Sequence, residues 1–237
     1  MATGTGKTAG FTLPILQNLS KGQQVGSNQT RVLILTPTRE LAAQVGESVY
    51  EYSKNLSLSS AVVFGGVKIN PQMKRLRSGV DILVATPGRL LDLYNQNAIK
   101  FNKVEVLVLD EADRMFDLGF EPQVTKIIDN VRPDRQTVMF SATFPRQMEA
   151  LARKILLKPI EVQVGGRSVV SKDVHQSVIV LETHQKYFKL LELLGLYQEK
   201  GSILVFVERQ ETADSLIRDL MKCSYVCVAL HGGMDHF

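Results

Sequence analysis

Short runs of β-branched and aliphatic residues, apolar at nearly every position instead of every second one, recur along this chain. They are Val32 to Leu35, Ala61 to Phe64, Ile82 to Ala85, Val104 to Leu109 and Thr137 to Phe140, then Ile203 to Val207 and Val226 to Leu230. A strand that is apolar on both faces must be covered on both, and helices joining parallel strands do this. The stretches between the runs have helical patterns, so the chain is read as doubly wound α/β with a parallel sheet.

At roughly 150 residues per domain, 237 residues allow one large domain, or one and part of another. The chain is 44% hydrophobic and 22% charged, well clear of disordered compositions. Gly165-Gly166-Arg167-Ser168 interrupts the pattern after the segment Ile155 to Val164. This places a first domain at 1–164, a linker at 165–173 and a second, partial domain at 174–237. The second holds too few elements to bury the core of a complete α/β domain. Lys21 to Thr30, rich in Gln, Gly and Ser, reads as a surface loop.

The net charge of +4 and the pI near 9.0 suit a polyanionic partner without requiring one. The two cysteines, Cys223 and Cys227, and the scattered histidines lack zinc-ligand spacing and read as reduced thiols and isolated side chains. No apolar stretch reaches a membrane span, and no signal-peptide layout opens the chain, so we expect an intracellular protein, cytoplasmic or nuclear, without a membrane partner.

Chemistry is concentrated at two places. Thr3-Gly4-Thr5-Gly6-Lys7-Thr8 runs directly into a helical pattern from Gly10 to Leu19. Glycines before a helix let backbone N–H groups close around phosphate, with the lysine reaching the β/γ-phosphates and the threonine hydroxyl completing a magnesium shell. The full phosphate-loop pattern wants a small residue where Met1 stands, and Gly-Lys-Thr alone could occur by chance. Asp110-Glu111-Ala112-Asp113 follows the apolar run Val104 to Leu109, where α/β sheets hold their ligands. A carboxylate there can hold the Mg²⁺ of a bound nucleotide while its neighbour orients the attacking water.

Asp110 to Asp113 spells the motif of the DEAD-box RNA helicases, and further segments resemble that family's motifs in its order. They are Pro37 to Ala42 (motif Ia), Gly65-Gly66, Thr86 to Arg89 (motif Ib), Ser141-Ala142-Thr143 (motif III), Ile203 to Val207 (motif IV) and Leu230 to Met234. The resemblance covers essentially the whole chain. It implies a RecA-like P-loop NTPase domain followed by a truncated second RecA-like domain, with ATP and Mg²⁺ as cofactors. Single-stranded or duplex RNA is the implied substrate, acted on by a monomer with unknown protein cofactors.

By motif, Thr3, Gly4, Thr5, Gly6, Lys7 and Thr8 would bind the nucleotide, Thr8 and Asp110 the metal, and Glu111 would position the lytic water. Ser141 and Thr143 would link this site to the RNA-bound state through Asp113. Pro37, Thr38, Arg39, Gly65, Gly66, Thr86, Pro87, Gly88 and Arg89 would grip RNA. Physically, amides and hydroxyls at strand ends suit phosphate and ribose, so sequence preference should be slight. His231, beside two glycines, reads as a turn residue.

The pattern departs from the family in what it lacks: the strand before the phosphate loop, the glutamine motif for adenine, and motifs V and VI with their arginines. The chain is therefore expected to be a fragment with ATP turnover at or near background, and a nucleotide- or RNA-binding piece without catalysis is the alternative. A DNA helicase of the same superfamily is disfavoured by the motif wording. Up to about Met115 the sequence most resembles the bacterial RhlE-like branch, as in Phe64 to Met73. From about Phe116 it resembles the spliceosomal branch-site branch, as in Val131 to Phe140, which suggests a chimera.

Overall fold

The computed structural model describes residues 6–21, 26–144, 146–163 and 174–234. Thr3, Gly4 and Thr5, and the linker expected at 165–173, lie outside the described residues. The chain divides into two units at Val174/His175.

The first unit is built on five parallel strands in the order β2-β3-β1-β4-β5. They are β1 (Val32–Leu35), β2 (Ser60–Val63), β3 (Ile82–Ala85), β4 (Val106–Leu109) and β5 (Gln136–Met139). The expected runs thus form strands, shifted by a residue at β2 and β5. The strand expected from Val104 starts two residues later, because Val104 N–H donates to Phe101 O (3.1 Å) and closes a turn there. Among the described residues, seven helices cover the sheet: α1 (Lys7–Leu19), α2 (Arg39–Ser53), α3 (Ile69–Arg77), α4 (Pro87–Asn95), α5 (Ala112–Asp117), α6 (Glu121–Asn130) and α7 (Arg146–Ile155).

The register explains the apolar runs. Leu33, Leu83 and Leu107 pair across the sheet and point into one core, with Leu90 of α4, Ile127 of α6 and Leu151 of α7. Their neighbours Ile34, Val84 and Val108 serve the opposite core, against Phe11 and Ile15 of α1 and Val45 of α2. Alternate side chains of a strand point to opposite faces, so two buried faces demand unbroken apolarity. Gly46 of α2 marks a close approach of helix to sheet: a Cβ there would clash with Val62 Cγ2.

Among the described residues, the second unit contains a 3-10 turn (Thr183–Gln185) and two helices, α8 (Lys186–Tyr197) and α9 (Gln210–Lys222). The Tyr187 hydroxyl donates to Asp219 O (3.0 Å) and fastens α8 to α9. The strands expected at Ile203 to Val207 and Val226 to Leu230 do not form: neither segment has a ladder partner among the described residues. Exposure still alternates as it would in a strand, with Ile203, Val205 and Val207 at 38–42% and Leu204 and Phe206 at 83–90%. Propensity alone does not make a strand, since its backbone groups need a neighbour to bond and its second face needs a cover. His231 does sit in a turn. Its Nδ1 accepts from Gly233 N–H (3.2 Å), which leaves the proton on Nε2, 3.0 Å from Asp214 Oδ1.

Candidate nucleotide and nucleic-acid site

Strand order reverses beside β1: the chain first builds β2 and β3 on one side of it, then β4 and β5 on the other. Ligands of open α/β sheets bind at the carboxyl ends near such a switch. The predicted residues of the first unit that fall among the described ones gather at those ends.

Gly6 enters α1 in the left-handed conformation (φ 73°), which glycine adopts without a Cβ clash, and Gly10 N–H closes the first turn on Gly6 O (2.9 Å). Lys7 and Thr8 therefore stand in the first turn, where backbone donors lack helical acceptors and the dipole favours an anion. Phe11 packs on Phe140 just beyond β5, with ring centroids 5.4 Å apart, and this fixes the helix start beside the ends of β4 and β5.

Asp110 leaves β4 with its N–H bonded to Leu35 O (2.9 Å) and its side chain only 3% exposed. Among the described residues, its carboxylate accepts one hydrogen bond, from Glu111 N–H (3.1 Å). Burial raises its pKa above the ordinary value. The nearby Lys7 ammonium opposes this, while Glu111 and Asp113 add to it. A buried, under-bonded carboxylate among other acids fits a divalent cation, and with the Thr8 hydroxyl it could hold one. Glu111 occupies a left-handed conformation (φ 49°), unusual for a residue with a Cβ, and such strain clusters at functional sites. Its side chain is part exposed, with Arg114 Nη1 3.7 Å away.

Asp113 on α5 closes a clasp with the segment after β5. Thr143 donates to Asp113 Oδ2 through both N–H and hydroxyl, each at 2.9 Å, and Ser141 Oγ donates to Thr143 O (2.6 Å). Burial pushes the Asp113 carboxyl up, but hydrogen bonds from the Thr143 amide and hydroxyl and from the Arg114 amide outweigh it and hold the pKa below the ordinary value. The clasp thus joins the carboxylate segment of β4 to the end of β5.

The other predicted residues line the ends of β1, β2 and β3, in different ways. Thr38 caps α2, its hydroxyl accepting from Leu41 N–H (3.2 Å). Pro37, Thr86 and Pro87 are buried and shape the backbone instead of facing solvent. Gly66 is exposed with φ +82°, and Arg39 Nη1 lies 3.4 Å from where a Cβ would be. Arg39 also pairs with Glu40 (2.6 Å). Arg89 is turned inward: its side chain is 12% exposed, Nη2 donates to Val67 O (3.0 Å), and Nε lies 3.9 Å from Asp92. Sequence reasoning missed Gln72 of α3, whose amide donates to Phe64 O (3.1 Å) at the other end of this loop. A glutamine on a helix carries no recognisable signal of its own.

With the loop lysine acting on a buried carboxylate at a strand end, the first unit has the working parts of a P-loop nucleotide-binding domain. Comparison with known proteins narrows the class. The sequence model of the DEAD/DEAH box helicases matches residues 1–151, and the chain belongs to that family. It is 55% identical, over 99% of its length, to the probable ATP-dependent RNA helicase DDX46 of Homo sapiens, covering 23% of that protein. It is 51% identical over 98% of its length to the DEAD-box ATP-dependent RNA helicase 42 of Arabidopsis thaliana, covering 20% of it. The chain thus spans about a quarter or less of the curated relatives it matches. Among solved structures it resembles the yeast DEAD-box splicing factor Prp28, with a TM-score of 0.67 and 34% identity over 93% of this chain and 52% of that one. Both stretches read as bacterial-like and spliceosomal-like fall within the match to the DDX46 helicase, which spans 99% of this chain.

Proposed function

We propose that this chain supplies the ATP-binding and much of the RNA-gripping surface of an ATP-dependent RNA helicase that remodels RNA duplexes or RNA–protein complexes. The observation that carries the reading is the Asp113 clasp, which ties the acidic strand end at the nucleotide site to the end of β5.

The first turn of α1 binds phosphate through its free amides, with Lys7 adding charge to the β- and γ-phosphates. Thr8 and Asp110 would hold Mg²⁺, which would supply positive charge against the phosphates. Glu111, held at a strained backbone position beside Asp110, orients water for attack. Asp113, Ser141 and Thr143 make the two strand ends move as one, so that occupancy of the nucleotide site is felt at the end of β5. At the far side, Thr38, Arg39, Gly65, Gly66 and Gly88 offer donors and charge to an RNA backbone, which suits sequence-tolerant binding.

The test is equilibrium titration of the 237-residue chain with MgATP to millimolar levels and with mixed-sequence single-stranded RNA. Lys7→Ala should weaken ATP binding about tenfold or more, since a charged hydrogen bond is worth about 1.5–3 kcal/mol. RNA binding in the absence of nucleotide should not change. Glu111→Gln should leave ATP binding intact and remove any RNA-stimulated phosphate release. Nucleotide binding indifferent to both Lys7→Ala and Asp110→Ala would sink the proposal.

A further inference from the structure

The loop from Phe64 to Lys68 joins β2 to α3, and two side chains from different helices hold it at its two ends. Gln72 of α3 donates its amide to Phe64 O (3.1 Å), and Arg89 of α4 donates Nη2 to Val67 O (3.0 Å). Between these two tied carbonyls lie Gly65 and Gly66, whose N–H groups make no hydrogen bond among the described residues. Two successive glycines left to themselves would sample many conformations, including both hands of φ. Fixing the carbonyls on either side while leaving the amides unpaired is the arrangement of an anion-binding nest.

Gln72 also carries a cost. Its Oε1 is buried without a partner among the described residues, while Nε2 is spent on the loop. A methionine would fill similar space and leave no buried acceptor orphaned, so the contribution of the amide lies in the bond it gives Phe64. The orientation of the amide is set by that same bond, because a carbonyl can only accept.

We propose that Gln72 is a positioning residue for RNA-backbone binding: by tying back the Phe64 carbonyl, it holds the Gly65 and Gly66 amides ready for a phosphate without touching RNA itself. This rests on the RNA-binding reading above. A residue that contacts phosphate through charge changes the salt dependence of binding when removed, because fewer counterions are released. A neutral residue that only orients amides does not.

The experiment compares the intact chain with Gln72→Met and Arg39→Gln, using mixed-sequence single-stranded RNA at two salt concentrations. ATP affinity and the thermal midpoint are followed alongside. Gln72→Met should weaken RNA binding about tenfold, the scale of one neutral hydrogen bond's preorganising effect, with the slope of log K against log salt unchanged. Its ATP affinity and melting temperature should match the parent. Arg39→Gln should lower the salt slope instead. RNA binding by Gln72→Met equal to the parent's overturns the positioning role, as does a loss matched by an equal loss of ATP affinity or a lower melting temperature. If the parent chain binds no RNA, the functional reading itself fails and takes this role with it.

Discussion

The two units use the same kind of sequence to different effect. In the first, Leu33, Val84 and Leu107 sit in a five-stranded ladder with helices on both faces and are fully buried. In the second, Leu204, Phe206, Val226 and Val228 belong to equally apolar runs, yet they are 83–103% exposed and form no ladder among the described residues. An apolar run becomes a strand only when neighbours satisfy its backbone and helices cover it, so the difference lies in context and not in composition.

The largest expected effect is in local stability. Amides of β1, β3 and β4 should exchange only by global opening, while those of 203–207 and 226–230 should exchange almost freely. On the usual span of opening energies, protection should differ by about three orders of magnitude or more. Hydrogen exchange on the intact chain measures this directly. Comparable protection in both sets of segments would show that the second unit forms a sheet in solution, and the contrast would fail.

Single substitutions sharpen the same contrast at smaller scale. Leu107→Ala empties a site on the inner strand β4, in one of the two cores, and should cost about 2–5 kcal/mol. Leu204→Ala removes an exposed side chain and should change stability by about 0.5 kcal/mol or less. Urea melts of the two variants decide it, and a Leu204→Ala cost approaching that of Leu107→Ala would mean Leu204 is covered in solution.

What the sequence disclosed follows the same division. The unbroken apolarity of Val32 to Leu35 and Ile82 to Ala85 placed β1 and β3 to the residue, since burial on both faces leaves no other pattern. At the site, Lys7, Asp110 and Asp113 were legible because glycines before a helix and acids after a strand have few other uses. The inward turn of Arg89 and the role of Gln72 were not, for each depends on which carbonyl a long side chain reaches across the fold. The strands expected in the second unit failed because a run of Ile, Leu, Val and Phe records the need for a partner without supplying one.

The smallest effect concerns pH, and here the units differ in the range where they respond. In the first unit, Asp113 has a pKa lowered by its hydrogen bonds, despite burial. The folded state binds the proton less readily than the unfolded, so the clasp's contribution is present above the ordinary aspartate value and lost as pH falls through the depressed folded value. Asp110 has the opposite sign. Burial raises its pKa, so its contribution is present in acid and lost as pH rises through the raised folded value. In the second unit the Tyr187 hydroxyl is pushed up to about 12, first by its hydrogen bond with Cys223 and then by desolvation; its contribution is present below the ordinary value of 10.0 and lost as pH rises through about 12. Asp110→Asn should therefore raise the melting temperature at neutral pH and do so less as pH falls below the ordinary aspartate value. Asp113→Asn should lower it at neutral pH, with the deficit shrinking in acid. Melting curves of the parent and both variants across the acid range provide the check. If Asp110→Asn destabilises the ligand-free chain at neutral pH, its carboxylate is paired in solution more strongly than its single hydrogen bond indicates, and the cation fit argued for it falls.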